Sequence, residues 1–271
     1  MNDLTKKELV IEQYQTPANL EARIGLHQRF STAVQPWHRW VFDQLDLAAE
    51  AHILELGCGP GRFWVENLDR QPANWSPVLV DLSLGMIAQA RAILLPGHDR
   101  FMFAVADAGA ISFMDRRFDA VIANHMLYHV RDLDQTLSEI THVLKPGGTL
   151  YAATNGDDHM RELNDITRGF LFNQPIGEVK LNFRLQNGAD LLRPYFADIE
   201  LRRFDDGLLV TEVEPLVNYA LSRLPLIKDQ AQTSDDQKLA FENQITTVMQ
   251  EQDGTFPITK DTGLFIAHLP T

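Results

Sequence analysis

Residues 53 to 61, Ile-Leu-Glu-Leu-Gly-Cys-Gly-Pro-Gly, are a short apolar run that passes straight into a loop with glycine at every second position, Gly57, Gly59 and Gly61. Glycine lacks a Cβ, so such a loop can take left-handed turns and let a ligand touch the main chain. A helix beginning near Arg62 would aim its first N–H groups at that ligand. The rest of the chain repeats this alternation of apolar run and helix-period segment, the sign of βαβ units and a parallel sheet. Strands are expected at 52–56, 78–81, 101–105, 118–123 and 149–154, with helices at 61–70, 84–95 and 132–144. Gln71-Pro72, Ser76-Pro77, Leu95-Pro96-Gly97 and Lys145-Pro146-Gly147-Gly148 punctuate them.

Beyond residue 155 the pattern weakens, with helices expected at 157–172, 187–195, 214–224 and 235–252 and strands near 198–204, 207–213 and 263–269. A terminal antiparallel pair would then complete the sheet. The expected fold is α/β, a doubly wound, mostly parallel seven-stranded sheet with an N-terminal helical lid and a C-terminal insertion. The expected divisions are a lid over 1–45, an α/β core over 46–155, and 156–271 as the remainder of the sheet with inserted helices and a hairpin on the acceptor side.

Composition narrows the partners. A formal net charge of −13 with no basic run argues against capture of nucleic acid, which rests on clustered Lys and Arg. A small-molecule acceptor is the better expectation. Cys58 is the only cysteine, which excludes an internal disulfide framework, and the charged first dozen residues lack the apolar core of a signal peptide. No apolar run approaches the ~18 residues needed to span a bilayer. The reading is a soluble cytoplasmic protein without membrane partners.

The loop is GxGxG, whereas the dinucleotide fingerprint GxGxxG needs a third glycine where this chain has Arg62. Asp81 ends the second strand, where an acid can accept both hydroxyls of a ribose. With Glu55 at the first strand end, the run resembles the first motif of class I, Rossmann-like methyltransferases that use S-adenosylmethionine (SAM). The resemblance covers roughly residues 50 to 155 and is nearest to the small-molecule group of ubiquinone and menaquinone biosynthesis.

On that resemblance, Glu55, Gly57, Cys58, Gly59, Gly61 and Asp81 contact the donor, Leu82 and Met86 sandwich its adenine, Asp107 accepts from the exocyclic amine, and the Ala108 N–H binds the ring. Core packing for Met86 and an ordinary turn for Asp107 remain open. Asn124 would approach the methionine end of the donor. The Asn or Asp followed by Pro-Pro and an aromatic, which nucleic-acid amino-methyltransferases use, is missing from Asn124-His125-Met126-Leu127-Tyr128. Base methylation drops in rank accordingly.

His125 and His129 stand four apart, so a helical turn would place both on one face at metal-ligand spacing, but no third ligand is evident and methyl transfer from a sulfonium needs no Lewis acid. No metal is expected. An imidazole titrates near neutrality, so His129 or His125 is a candidate base, while either can be structural. Tyr128 either hydrogen-bonds the acceptor or walls the pocket. Cys58 lacks an assigned base and is read as a small loop residue. Upstream, 19–33 reads as a helix whose apolar side is interrupted by Asn19, Arg23 and His27. Arg23 needs a carboxylate partner, from the donor, an acidic acceptor or the core. Tyr14, Arg23 and His27 are candidate lid residues facing the ligands. Two other readings share the fold: a non-catalytic SAM-binding module, and a NAD-dependent oxidoreductase.

Overall fold

The computed structural model describes residues 17–96, 99–171, 181–222 and 235–271, with side chains described for all of these except residues 17–23 and 169–171. Tyr14 lies outside them, and the Arg23 side chain does too. Two compact units result. One holds Gln35–Gly156, Leu181–Phe204 and Thr262–Thr271, and the other holds the described parts of 1–34, 157–180 and 205–261.

The first unit is a seven-stranded sheet. Its strands are β1 (His52–Leu56), β2 (Ser76–Asp81), β3 (Met102–Val105), β4 (Phe118–Asn124), β5 (Leu144–Asn155), β6 (Asp198–Phe204) and β9 (Thr262–His268), in the order β3-β2-β1-β4-β5-β9-β6. The first five pair in parallel, and β9 and β6 close the far edge antiparallel. This is the expected doubly wound sheet with its terminal antiparallel pair. Residues alternate between two apolar layers, as a pleated strand requires. Leu54, Leu56, Val121, Ala123 and Ala152 pack on one face with Leu137 and Ile140 of the helix Leu133–Val143. Ile53, Leu79, Ile122 and Ala153 pack on the other with Val41, Phe42, Phe63, Trp64 and Ile87.

Two helical segments differ from the sequence reading. The helix expected over 61–70 is only Arg62–Val65. Its carbonyls are taken by side chains further on: Asn67 Nδ2 donates to the Phe63 carbonyl and Gln71 Nε2 to the Trp64 carbonyl. Such side-chain donors compete with the helical ladder and wind the chain into turns. The short helix Trp37–Asp43 was not anticipated at all. It is fixed to the sheet unit by Arg39 against Asp69, Arg70 against Asp43, and the His38 carbonyl accepting from Asn67.

The second unit is mainly helical, with Pro17–Phe30, Arg161–Leu171, Val213–Ser222 and Asp235–Glu251 beside a two-stranded sheet of β7 (Gly207–Val210) and β8 (Phe256–Thr259). Leu26, Phe30, Leu163, Val217, Phe241, Ile245 and Phe256 form its core. Among the described residues no helix is long and apolar enough to cross a membrane.

Candidate active site

The strand order reverses between β1 and β4, because β2 and β3 lie to one side of β1 while β5, β9 and β6 lie beyond β4. In open α/β sheets the crevice at the carboxyl ends of the strands flanking that reversal is the natural ligand site. The residues there are the glycine loop after β1, Asp81 at the end of β2 and Asn124 at the end of β4.

Gly57, Gly59 and Gly61 all sit in the left-handed region, with φ of 67°, 54° and 78°. Their surroundings differ. A Cβ on Gly57 would lie 2.7 Å from Met126 Cβ, and one on Gly61 would lie 2.8 Å from Leu94 Cδ1. Among the described residues, a Cβ on Gly59 would meet nothing within 4 Å. Gly57 and Gly61 therefore permit packing, while the described residues leave the Gly59 edge clear, where a ligand can approach the main chain.

Asp81 holds this loop in place. Its Oδ2 accepts from the Gly59 N–H at 2.9 Å and its Oδ1 from the Ser83 N–H at 2.8 Å. Burial raises its pKa while these backbone donors and that of Leu82 pull it back. Ser83 then caps the helix Leu84–Leu94 by accepting from the Met86 N–H. Met86 is buried in that first turn. Asp107 closes a turn, its Oδ1 accepting from the Gly109 N–H at 3.0 Å, which accounts for part of its carboxylate. Ala108 packs against the layer that holds Leu137.

Glu55 points into the apolar layer beneath the loop. It is 2% exposed, and Trp64 Nε1–H donates to its Oε2 at 2.7 Å. Burial pushes its pKa up to about 8; the Trp64 hydrogen bond opposes the rise and the Asp81 charge adds to it. Cys58 is buried beside both carboxyls, and burial with those charges pushes its thiol up. A thiol held protonated is no nucleophile.

After β4 the chain does not continue as a helix from His125. His125 has φ 57° and a 3-10 turn begins only at Leu127, so His125 and His129 do not ride one helical face. Instead the His125 N–H donates to the Ala153 carbonyl at 3.2 Å, and the Tyr128 ring lies against that of His129 at 4.5 Å, tilted by 57°, and 6.4 Å from that of His125. Among the described residues no three His, Cys, Asp or Glu side chains gather as a metal site requires. The sequence reading missed Trp37, whose Nε1–H donates to Asn124 Oδ1 at 3.0 Å and whose ring lies 5.1 Å from that of His125. Its aromatic pair with Trp40 at i+3 was the available signal.

His27 lies in the helical unit, where its Nδ1 is 3.2 Å from Lys260 Nζ and its ring meets Tyr219 edge-on at 5.7 Å.

Comparison with known proteins agrees with this geometry. Residues 53–148 match the methyltransferase domain family. The chain is similar to a demethylmenaquinone methyltransferase of Symbiobacterium thermophilum, 31% identical over 42% of this chain and 46% of the relative. It is also similar to a malonyl-[acyl-carrier protein] O-methyltransferase of Pseudescherichia vulneris, 28% identical over 67% of this chain and 76% of the relative. The match to the quinone relative thus spans about half of that protein's length. Among solved structures, phosphoethanolamine N-methyltransferase 2 of Haemonchus contortus in complex with S-adenosyl-L-methionine aligns with a TM-score of 0.63, 18% identity, and coverage of 100% of this chain and 61% of that one. Residues 53–148 thus match a methyltransferase domain, and the sheet that carries them has the Rossmann-like fold of the solved methyltransferase structure.

Proposed function

We propose that the protein is a SAM-dependent methyltransferase acting on a small molecule. The observation that carries this is the convergence of Gly59, Asp81 and Asn124 on the carboxyl ends of β1, β2 and β4 at the strand reversal. The residues fit the donor: an open glycine edge, a strand-end carboxylate for ribose hydroxyls, and a polar amide at the next strand end. Asp81 would hold the ribose, with Gly57, Cys58, Gly59 and Gly61 lending backbone, Leu82 and Met86 flanking adenine, and Asp107 with Ala108 at its amine edge. When bound, SAM supplies an activated methyl group on a sulfonium.

The protein's part is to align the acceptor with that methyl and to exclude water. His129, its ring tilted against that of Tyr128 just after β4, is the candidate to take a proton from the acceptor, with His125 second. A strongly anionic wall near the sulfonium would stabilise the ground state more than the transition state. A protonated Glu55 avoids that penalty. A cytoplasmic setting is in keeping with a lone, protonated thiol at Cys58.

A screen of carboxylic acids, phenols and amines for S-adenosylhomocysteine (SAH) release tests the reading. Turnover with one class that vanishes in Asp81→Ala is expected. Tight SAM binding without turnover on any class would favour a non-catalytic SAM-binding module, and preference for NAD would favour an oxidoreductase. Closure by the segment before residue 40 is tested by limited proteolysis, with SAM slowing cleavage there.

A further inference from the structure

We propose that Trp37 is a positioning residue that fixes the polarity of the Asn124 amide, so that this strand end offers N–H donors to a ligand carboxylate instead of an oxygen to a cation. The inference rests on the methyltransferase reading and deepens it. Trp37 Nε1 lies 3.0 Å from Asn124 Oδ1. An indole nitrogen can only donate, so the amide oxygen must face Trp37. The two amide N–H groups are then turned to the other side of the side chain.

Neither partner is free to rotate away from this arrangement. The Trp37 ring is stacked on Trp40 at 5.3 Å and abuts Phe204 edge-on at 5.2 Å. Its helix, Trp37–Asp43, is tied down by Arg39 to Asp69 and by Arg70 to Asp43. Asn124 ends β4 in register with Ala153, and the next residue is pinned by the His125 N–H to the same Ala153 carbonyl strand. The amide is therefore set before any ligand arrives, which lowers the cost of binding.

A preset pair of donors recognises an oxygen with lone pairs, best an anionic one, and discriminates against ammonium and sulfonium. Two sources carry that chemistry: the carboxylate of the donor's methionine end, and a carboxylate on the acceptor. Placing a carboxylate at position 124 should reverse the preference, because Trp37 would still hold one oxygen and the other would face the ligand's.

Calorimetry with SAH and with 5'-methylthioadenosine, which lacks the amino-acid end, separates these sources in the parent, Trp37→Phe and Asn124→Asp. Trp37→Phe keeps the ring stack and loses only the N–H, and thermal unfolding checks that both variants fold. For the donor's carboxylate, SAH binding should weaken roughly tenfold or more in Asn124→Asp and roughly three- to tenfold in Trp37→Phe, with methylthioadenosine unaffected. If SAH binding holds but benzoate titrated into SAH-saturated protein loses affinity in both variants, the acceptor's carboxylate is the partner. Unchanged affinity for SAH and benzoate, or tighter SAH binding by Asn124→Asp, overturns the inference while leaving the methyltransferase reading intact. A parent that binds neither nucleoside overturns both.

Discussion

All three loop glycines have positive φ, but a side chain at Gly57 or Gly61 would also meet Met126 or Leu94, whereas at Gly59 it would meet none of the described residues. Alanine at these positions should therefore separate stability from binding. Gly61→Ala combines left-handed strain with a clash and should cost ~1–3 kcal/mol in urea denaturation. Gly59→Ala should cost ~1–2 kcal/mol of strain but weaken SAM binding more than Gly61→Ala does; the reverse order would remove Gly59 from the ligand edge. Glu55 offers a second test at this scale. Its folded pKa of about 8 lies above its ordinary 4.5, so its contribution to stability is full below pH 4.5 and fades as pH rises toward 8. Glu55→Gln mimics the neutral form. Thermal midpoints from pH 5 to 8.5 should fall more steeply in the parent than in Glu55→Gln, by about 3 °C or more over the range. Equal slopes would show that Glu55 is ionised in the fold.

The elements of the sheet were legible because each carries its own signal. Strands 52–56 and 198–204 stand where the apolar runs put them, and the helices 84–95 and 132–144 differ from observation by one residue at their ends. β8 was invisible because Pro257 sits inside it, and proline argues against a strand unless its missing N–H faces away from the ladder. Among the described residues Phe256–Thr259 pairs with β7 alone, with Pro257 opposite Leu209, so the proline is tolerated. Trp37–Asp43 was missed because seven residues show too little periodicity to separate a helix from a loop. In the helical unit, Lys260 and Asp206 form an ion pair at 3.4 Å with side chains 11% and 4% exposed. Ser31 Oγ–H and the Ala33 N–H also donate to Asp206. No spacing rule could reveal a contact between residues so far apart in sequence. Asp206→Ala leaves the Lys260 charge buried without its partner and should cost ~3–5 kcal/mol in chemical denaturation. A loss under ~1 kcal/mol would mean the pair is solvated like a surface bridge.

For the whole molecule, the positions of the proposed donor-site residues were readable because strand ends after a glycine loop converge by topology, so Asp81 and Asn124 could be placed at the ends of β2 and β4 without knowing any long-range contact. The proposed acceptor side carries no such topological signal, since no motif in the sequence marks the side chains that would face an acceptor. The structure adds the close pairing of the Tyr128 and His129 rings, 4.5 Å apart. His129→Gln should leave SAM affinity within a few-fold and lower turnover ~100-fold or more; equal turnover would assign His129 to packing alone. The central claim, a SAM site at the strand reversal, is tested most directly by titrating SAM into the parent and Asp81→Ala. The parent should show a single site of micromolar affinity, weakened in the variant by ~1–3 kcal/mol through lost charge-assisted hydrogen bonds to ribose. Equal SAM affinity in both proteins, or binding of NAD in preference to SAM, would contradict it.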